Sequence, residues 1–151
     1  MSTRCVVRVK RGDKSTVDLY HHCEGYPEGV GIALLGTLER FFKNLPKDRV
    51  LDSETFINRL VKNEDKKLND ESYCVTTWKH GDLEFLYELD FGCEDELRWP
   101  KAGAVLKCWP LKFGFSCEFE DYDELKGEEI NLFEVKTQIE AEEAKHDGGA
   151  K

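Results

Sequence analysis

The chain has 151 residues, of which 40% are hydrophobic and 11% aromatic, which is enough apolar material for one ordinary folded domain. No apolar run approaches the roughly 20 residues of a membrane helix, and the N-terminal residues lack the apolar core of a secretory signal, so we expect a cytoplasmic location and no membrane contact. The net charge of -9, without a dominant cluster of cations, argues against a nucleic-acid partner.

The acidity is concentrated near the C-terminus. Residues 118–143 contain 11 acidic and 2 basic residues, whereas residues 1–117 contain 19 acidic and 18 basic residues. Such a segment indicates either a solvated face or a surface that binds a basic protein partner.

The six cysteines show no C-x-x-C spacing, which is the hallmark of zinc ribbons and thioredoxin-like motifs. Because no secretory signal precedes them, reduced thiols are expected rather than disulfides. The spacing of histidines and acids matches no standard metal motif either, so no metal site is predicted and the sequence names no cofactor.

The first 23 residues predict a β-hairpin. Residues 5–10 and 16–23 both alternate in the two-residue period of a strand, and the polar residues 11–15 between them have the composition of a turn. In the second strand His21 shares a face with Val17 and Leu19, whereas His22 lies on the opposite face.

Two helices are expected next. The first has an apolar stripe at three- and four-residue steps and ends before Pro46; the stripe consists of Ile32, Leu35, Leu38, Phe42 and Leu45. The second is capped by Asp52 or Ser53 and has Phe56, Ile57, Leu60 and Val61 on its apolar side.

The second half of the chain predicts four strands, at residues 73–79, 83–91, 104–109 and 113–119. The tail is ambiguous, because residues 132–145 favour a helix whereas residues 130–135 also fit a short strand. We therefore predict an α+β fold in which about six strands, in the order ββααββββ, form an antiparallel sheet with two helices on one face and a C-terminal helix. A single domain over residues 1–143 and a frayed tail over residues 144–151 are expected.

The most distinctive stretch is HHCEGYPEGVG, residues 21–31, where a strand end meets a helix start. Functional residues favour such loops. The catalytic candidates are His22 and Glu24, because an imidazole and a carboxylate can serve in acid–base chemistry. The candidates for ligand binding are Gly25, Tyr26, Glu28, Gly29 and Gly31, since glycines allow close backbone approach. The alternative interpretation is structural: the glycines and Pro27 form a turn and fit the helix entry.

The run from Leu19 to Gly31 resembles a pattern of small uncharacterised bacterial and phage proteins, Tyr-x-His-x-Asp-Gly-Tyr-Pro. Its Tyr, His and acid fall on Tyr20, His22 and Glu24, with Glu24 in place of the more usual Asp. Residues 80–87, which begin His-Gly-Asp, form a second similar stretch. The resemblance implies a bacterial or phage origin and favours His22 over His21, but it implies no catalytic role.

Two functions follow from these observations. The first is a non-enzymatic binding protein that uses the acidic C-terminal segment, which the lack of catalytic motifs favours. The alternative is a small ligand-binding or hydrolytic enzyme that uses His22, Glu24 and the loop through Gly31, with or without a metal.

Overall fold

A computed structural model describes residues 3–11, 14–44, 53–62, 73–76, 83–91, 105–112 and 122–149. Within them the chain forms five strands: β1 (Cys5–Lys10), β2 (Thr16–His21), β3 (Cys74–Thr76), β4 (Phe85–Asp90) and β5 (Val105–Pro110). It also forms three α-helices: α1 (Ile32–Lys43), α2 (Ser53–Lys62) and α3 (Leu132–Gly149). A π-helical turn, Pro27–Gly31, leads directly into α1. No helix in these described ranges combines the length and apolar character needed to cross a bilayer.

The five strands form one mixed sheet in the order β3-β2-β1-β4-β5. The predicted hairpin is confirmed, since β1 and β2 pair antiparallel with Val7 opposite Leu19. The prediction of a purely antiparallel sheet is wrong, because β4 lies parallel to β1, with Val7 opposite Tyr87. The chain leaves β2, passes through both helices and adds β3 at the outer side of β2. It then crosses to the other side of β1 as β4, and such a crossover is what parallel neighbours require.

The predicted order of elements is therefore corrected to ββααβββα for the part of the chain that the structure describes. The predicted sixth strand, residues 113–119, lies outside the described residues. The predicted α+β class and the C-terminal helix are confirmed, and α3 runs from Leu132 to Gly149. The strand alternative for residues 130–135 reduces to a single bridge between Ile130 and Cys108.

One face of the sheet carries the main core. The alternate residues of β1 that point to this face, Cys5, Val7 and Val9, pack with residues of β2 and β4 and with the apolar stripes of α1 and α2. Aromatic rings join the layers: Phe56 of α2 lies 5.4 Å from Phe41 and 5.7 Å from Phe91, measured between ring centroids. The two predicted helices thus cover one face of the sheet, as expected.

The opposite face is divided into two parallel rows. One row is apolar and crosses four strands through Tyr20, Val6, Leu86 and Trp109. It is part of a second, smaller core that includes Tyr122 of a short 3₁₀ turn, Tyr122–Leu125. The neighbouring row is charged and crosses the same strands through Asp18, Arg8, Glu88 and Lys107.

Candidate functional site

The two histidines of the distinctive loop lie in different environments. His21 is buried on the core face, where its ring centroid is 4.6 Å from that of Tyr73. His22 is exposed, and its Nδ1 lies 3.1 Å from the hydroxyl of Tyr20. Only His22 is therefore accessible to a ligand from solvent.

Three backbone amides of the loop already donate hydrogen bonds to carbonyl groups of the protein. Gly25 N–H donates to the carbonyl of Thr3 at 2.8 Å, and Val30 N–H donates to the carbonyl of Glu24 at 2.9 Å. Gly29 N–H donates to the carbonyl of Tyr26. The amide groups at the helix start, which elsewhere bind anions, are thus used within the loop at two of its positions.

Three glycines of the loop, Gly25, Gly29 and Gly31, leave no room for a Cβ atom, and at Gly29 the nearest atom is a backbone carbonyl oxygen of the loop itself. A Cβ atom on Gly25 would lie 2.8 Å from Cβ of Cys5, and one on Gly31 would lie 2.8 Å from Cδ2 of Leu132. Both distances are shorter than atoms tolerate, so any larger residue displaces its neighbour. The loop therefore packs directly against the start of β1 and the start of α3.

The remaining candidates of the loop lie on its surface. Glu24 is exposed and has a left-handed backbone with φ of 52°, an uncommon conformation for glutamate. Tyr26 and Glu28 are exposed as well. Across the described ranges, no three His, Cys, Asp or Glu side chains gather in a way that could hold a metal ion.

A buried polar cluster lies directly under the loop. The hydroxyl of Tyr87 donates a 2.7 Å hydrogen bond to the carbonyl of Gly25. Burial raises the pKa of the Cys108 thiol to about 12, with smaller contributions from the carboxylates of Glu28 and Glu129. Burial also raises the pKa of Cys5 and of Tyr87 far above their ordinary values. At neutral pH these groups are protonated, so neither thiol is a nucleophile.

A concave feature that was not predicted lies on the opposite face of the sheet. It is a cavity of about 610 Å³, which we call the sheet-face cavity; it is lined by Arg8, Lys10, Thr16, Glu88, Lys107, Trp109, Asp123 and Lys126. Four of these eight residues are cationic and two are carboxylates. Its walls come from four strands and from the residues after β5.

Ion pairs hold the charged groups of the sheet-face cavity in place. Glu88 lies near its centre, with Lys10 Nζ at 3.1 Å and Lys126 Nζ at 3.8 Å from its carboxylate oxygens. Lys126 also pairs with Asp123, and its ammonium lies 3.8 Å from the ring centroid of Trp109.

Arg8 is fixed from two sides within the same face. Its Nε lies 3.0 Å from Oδ1 of Asp18, and its guanidinium carbon lies 5.4 Å from the ring centroid of Tyr122. Only 10% of its side chain is exposed. Arginine at this depth is unusual unless it is paired, as it is here.

Sequence reasoning missed this cavity because its cations are far apart along the chain. Arg8 and Lys10 follow one another on the polar face of β1, whereas Lys107 and Lys126 come from the second half of the chain. The alternation of β1 carried a signal, since both cations fall on the face opposite Val7 and Val9. Which residues lie beside these two cations follows only from the register of β1, β4 and β5 in the structure.

A comparison of the chain with protein-family models, with curated proteins and with solved structures found no match in any of the three.

Proposed function

We propose that the protein is a non-enzymatic binding protein that holds a basic protein partner on the acidic, solvent-exposed part of helix α3. The observation that carries this proposal is the unequal packing of α3. Its first residue, Leu132, is buried, whereas every side chain from Glu140 to Lys145 is exposed. A helix that extends beyond its own packing surface leaves part of its length, here about 1.7 turns over residues 140–145, for another molecule.

The start of α3 is firmly attached. The side-chain oxygen of Asn131 accepts hydrogen bonds from the N–H groups of Phe133, at 3.0 Å, and Glu134, at 3.2 Å, which is a helix N-cap. Lys136 Nζ lies 3.2 Å from a carboxylate oxygen of Glu39 in α1. The partner therefore meets a helix that is already formed, which reduces the ordering cost of binding.

The exposed part of α3 has the charge that the proposal needs. Glu140 and Glu143 are three residues apart and thus share one side of the helix, and Glu142 is exposed beside them. Clustered carboxylates accelerate the encounter with a cationic surface and select against acidic partners. The net charge of -9 for the whole chain acts in the same direction.

The test is fluorescence polarisation with a labelled deca-lysine peptide as the basic probe. Glu140→Gln/Glu143→Gln should weaken binding about fivefold, the value of two exposed ion pairs. Glu54→Gln/Glu84→Gln is the matched control, because it changes the net charge equally at exposed positions elsewhere. Its effect should stay below about twofold. Equal losses in the two variants would show that only the overall charge matters, and would overturn the proposal.

A second candidate is a ligand-binding or hydrolytic activity at His22 and Glu24. Two observations favour it: the Tyr20 hydroxyl within hydrogen-bond distance of His22, and the left-handed backbone of Glu24, since such conformations occur often at functional sites. Hydrolysis of p-nitrophenyl acetate and p-nitrophenyl phosphate by the wild type and by His22→Ala tests it. Turnover that the variant loses while it remains folded would support an enzyme, whereas equal rates would count against it.

We also propose a cytoplasmic location and a bacterial or phage origin. The location is supported by three cysteines of the described residues, Cys5, Cys74 and Cys108, which form no disulfide. The origin rests on the resemblance of residues 19–31 alone.

A further inference from the structure

The sheet-face cavity uses charged groups where the adjoining row uses apolar ones. Side-chain exposure is 10% for Arg8 and 13% for Glu88, so both charges are largely removed from water. Replacing such buried ion pairs with apolar residues often leaves a protein equally stable or more stable. A gain in stability therefore does not account for these buried charges, whereas a role in recognising a ligand would account for them.

The charges around Glu88 are unequal. Arg8 and Lys107 are its neighbours in the charged row, and Lys10 and Lys126 contact its carboxylate. Asp18 pairs with Arg8 and Asp123 pairs with Lys126, while Asp90 lies opposite Lys10 in the register of β1 and β4. Among the residues that line the cavity itself, four are cations and two are carboxylates. The cavity is thus a local site of positive charge on a chain whose net charge is -9.

The cations differ in what they can offer a ligand. Arg8 and Lys126 are held by carboxylates and by aromatic rings, so they set the potential of the cavity. Lys10 is more exposed, at 39% of its side chain, and Lys107 is exposed as well. These two lysines stand on β1 and β5, with β4 between them, and their flexible stems can close on an anion from both sides.

We propose that the sheet-face cavity binds a small organic molecule that carries a phosphate group. Several cations facing one space suit a phosphate, which presents three strong acceptor oxygens, better than a single carboxylate. A volume of about 610 Å³ lies within the usual range of small-molecule sites and exceeds what inorganic phosphate fills. Trp109 in the wall supplies apolar surface for the organic part. This site is independent of the exposed part of α3.

The fluorescence of Trp109 reports on the cavity. Titration with AMP, excited at the red edge of tryptophan absorption in about 0.15 M salt, should give a saturable change that Trp109→Phe loses. Pyrophosphate and adenosine, followed by calorimetry, serve as separate arms. Binding of AMP with weaker binding of pyrophosphate supports a site for an organic phosphate. Pyrophosphate that binds as tightly as AMP, or more tightly, would overturn the role of the organic part. Adenosine that binds as tightly as AMP would overturn the role of the phosphate.

The lysines are tested by a matched pair of double variants. Lys10→Gln/Lys107→Gln should raise the Kd for AMP at least about tenfold. Lys43→Gln/Lys62→Gln, which removes two exposed lysines from the ends of α1 and α2, should change it by less than about twofold. Equal weakening in both double variants, or no saturable signal in the wild type up to about 1 mM AMP, would overturn the proposal. Because both pairs lie on the surface, a thermal melt of each verifies that folding is retained.

Discussion

The glycine-rich loop of residues 24–31 and the sheet-face cavity differ in almost every respect. The loop is conspicuous in the sequence, yet the amides of Gly25, Gly29 and Val30 donate to nearby carbonyls, and neighbouring atoms leave no room for a side chain at its glycines. The cavity is inconspicuous in the sequence, yet it gathers charged residues from three strands and from the residues after β5. An unusual local composition here indicates a tight backbone arrangement that only glycine allows, whereas a binding surface depends on which strands become neighbours in the sheet.

The buried groups beneath the loop give the largest expected effect. Unfolded thiols ionise near pH 9.0, whereas the folded Cys108 holds its proton up to about pH 12. Since the folded pKa is the higher one, its contribution to stability is complete below pH 9 and is lost as the pH rises toward 12. The free energy of unfolding should fall by about 1.4 kcal/mol per pH unit for this group alone.

Urea denaturation between pH 8 and pH 11 measures that slope. Cys108→Ala should unfold with a shallower dependence on pH than the wild type, because one titrating group is missing. Identical slopes for the two proteins would contradict the burial of Cys108 beneath the loop.

The packing of the loop predicts the next largest effect. Gly25→Ala places a methyl group against Cys5 and the carbonyl of Thr3, so the free energy of unfolding should fall by about 1–3 kcal/mol. Gly36→Ala in α1 is the control, because the nearest atoms belong to the flexible side chain of Arg40. It should stabilise the protein by about 0.5–1 kcal/mol. Equal, small effects in denaturant titrations would contradict the close packing.

The hydrogen bond between Tyr87 and Gly25 predicts a smaller loss. Tyr87→Phe leaves the buried carbonyl of Gly25 without this donor and should cost about 1–2 kcal/mol. Tyr20→Phe removes an exposed hydroxyl that meets His22 and should cost less than about 0.5 kcal/mol. The midpoints of urea unfolding of the two variants measure the difference. A larger loss of stability in Tyr20→Phe than in Tyr87→Phe would contradict the stabilising role of the hydrogen bond from Tyr87 to Gly25.

The cavity predicts the smallest effect, with a characteristic sign. Glu88→Gln removes the central carboxylate, so it should tighten the binding of AMP about threefold, which corresponds to the value of one screened charge pair. Calorimetry measures the change in Kd. Weaker binding in this variant would mean that Glu88 contacts the ligand as a hydrogen-bond acceptor, which is a different mode of recognition.

Local periodicity was sufficient to predict several elements. The alternation of Cys5, Val7 and Val9 placed β1 and its core face, and the three- and four-residue spacing of Leu35, Leu38 and Phe42 placed α1. The same alternation could not choose a partner for residues 83–91, because a strand with one buried face suits parallel and antiparallel neighbours alike. The parallel pair of β1 and β4 therefore escaped prediction.

The candidate site was harder to predict than the fold. The composition around Gly25 and Gly31 was noticed, but the atoms that make these glycines necessary, on Cys5 and Leu132, are distant in sequence. For the same reason, the convergence of Lys10 and Lys126 on Glu88 required the sheet and the segment after β5. The cap of α3 was a missed feature with a local signal, since Asn131 directly precedes an apolar helix start.

The loop has amides that are already hydrogen-bonded, whereas the sheet-face cavity is proposed to bind a phosphate. An NMR titration of the ¹⁵N-labelled protein with AMP tests this contrast most directly. The amide signals of β1, β4 and β5 and the indole signal of Trp109 should shift together and saturate with a single Kd, while the amides of Gly25, Gly29 and Val30 stay in place. Shifts concentrated on residues 24–31, with the strands unchanged, would contradict this account and make the glycine-rich loop the anion site.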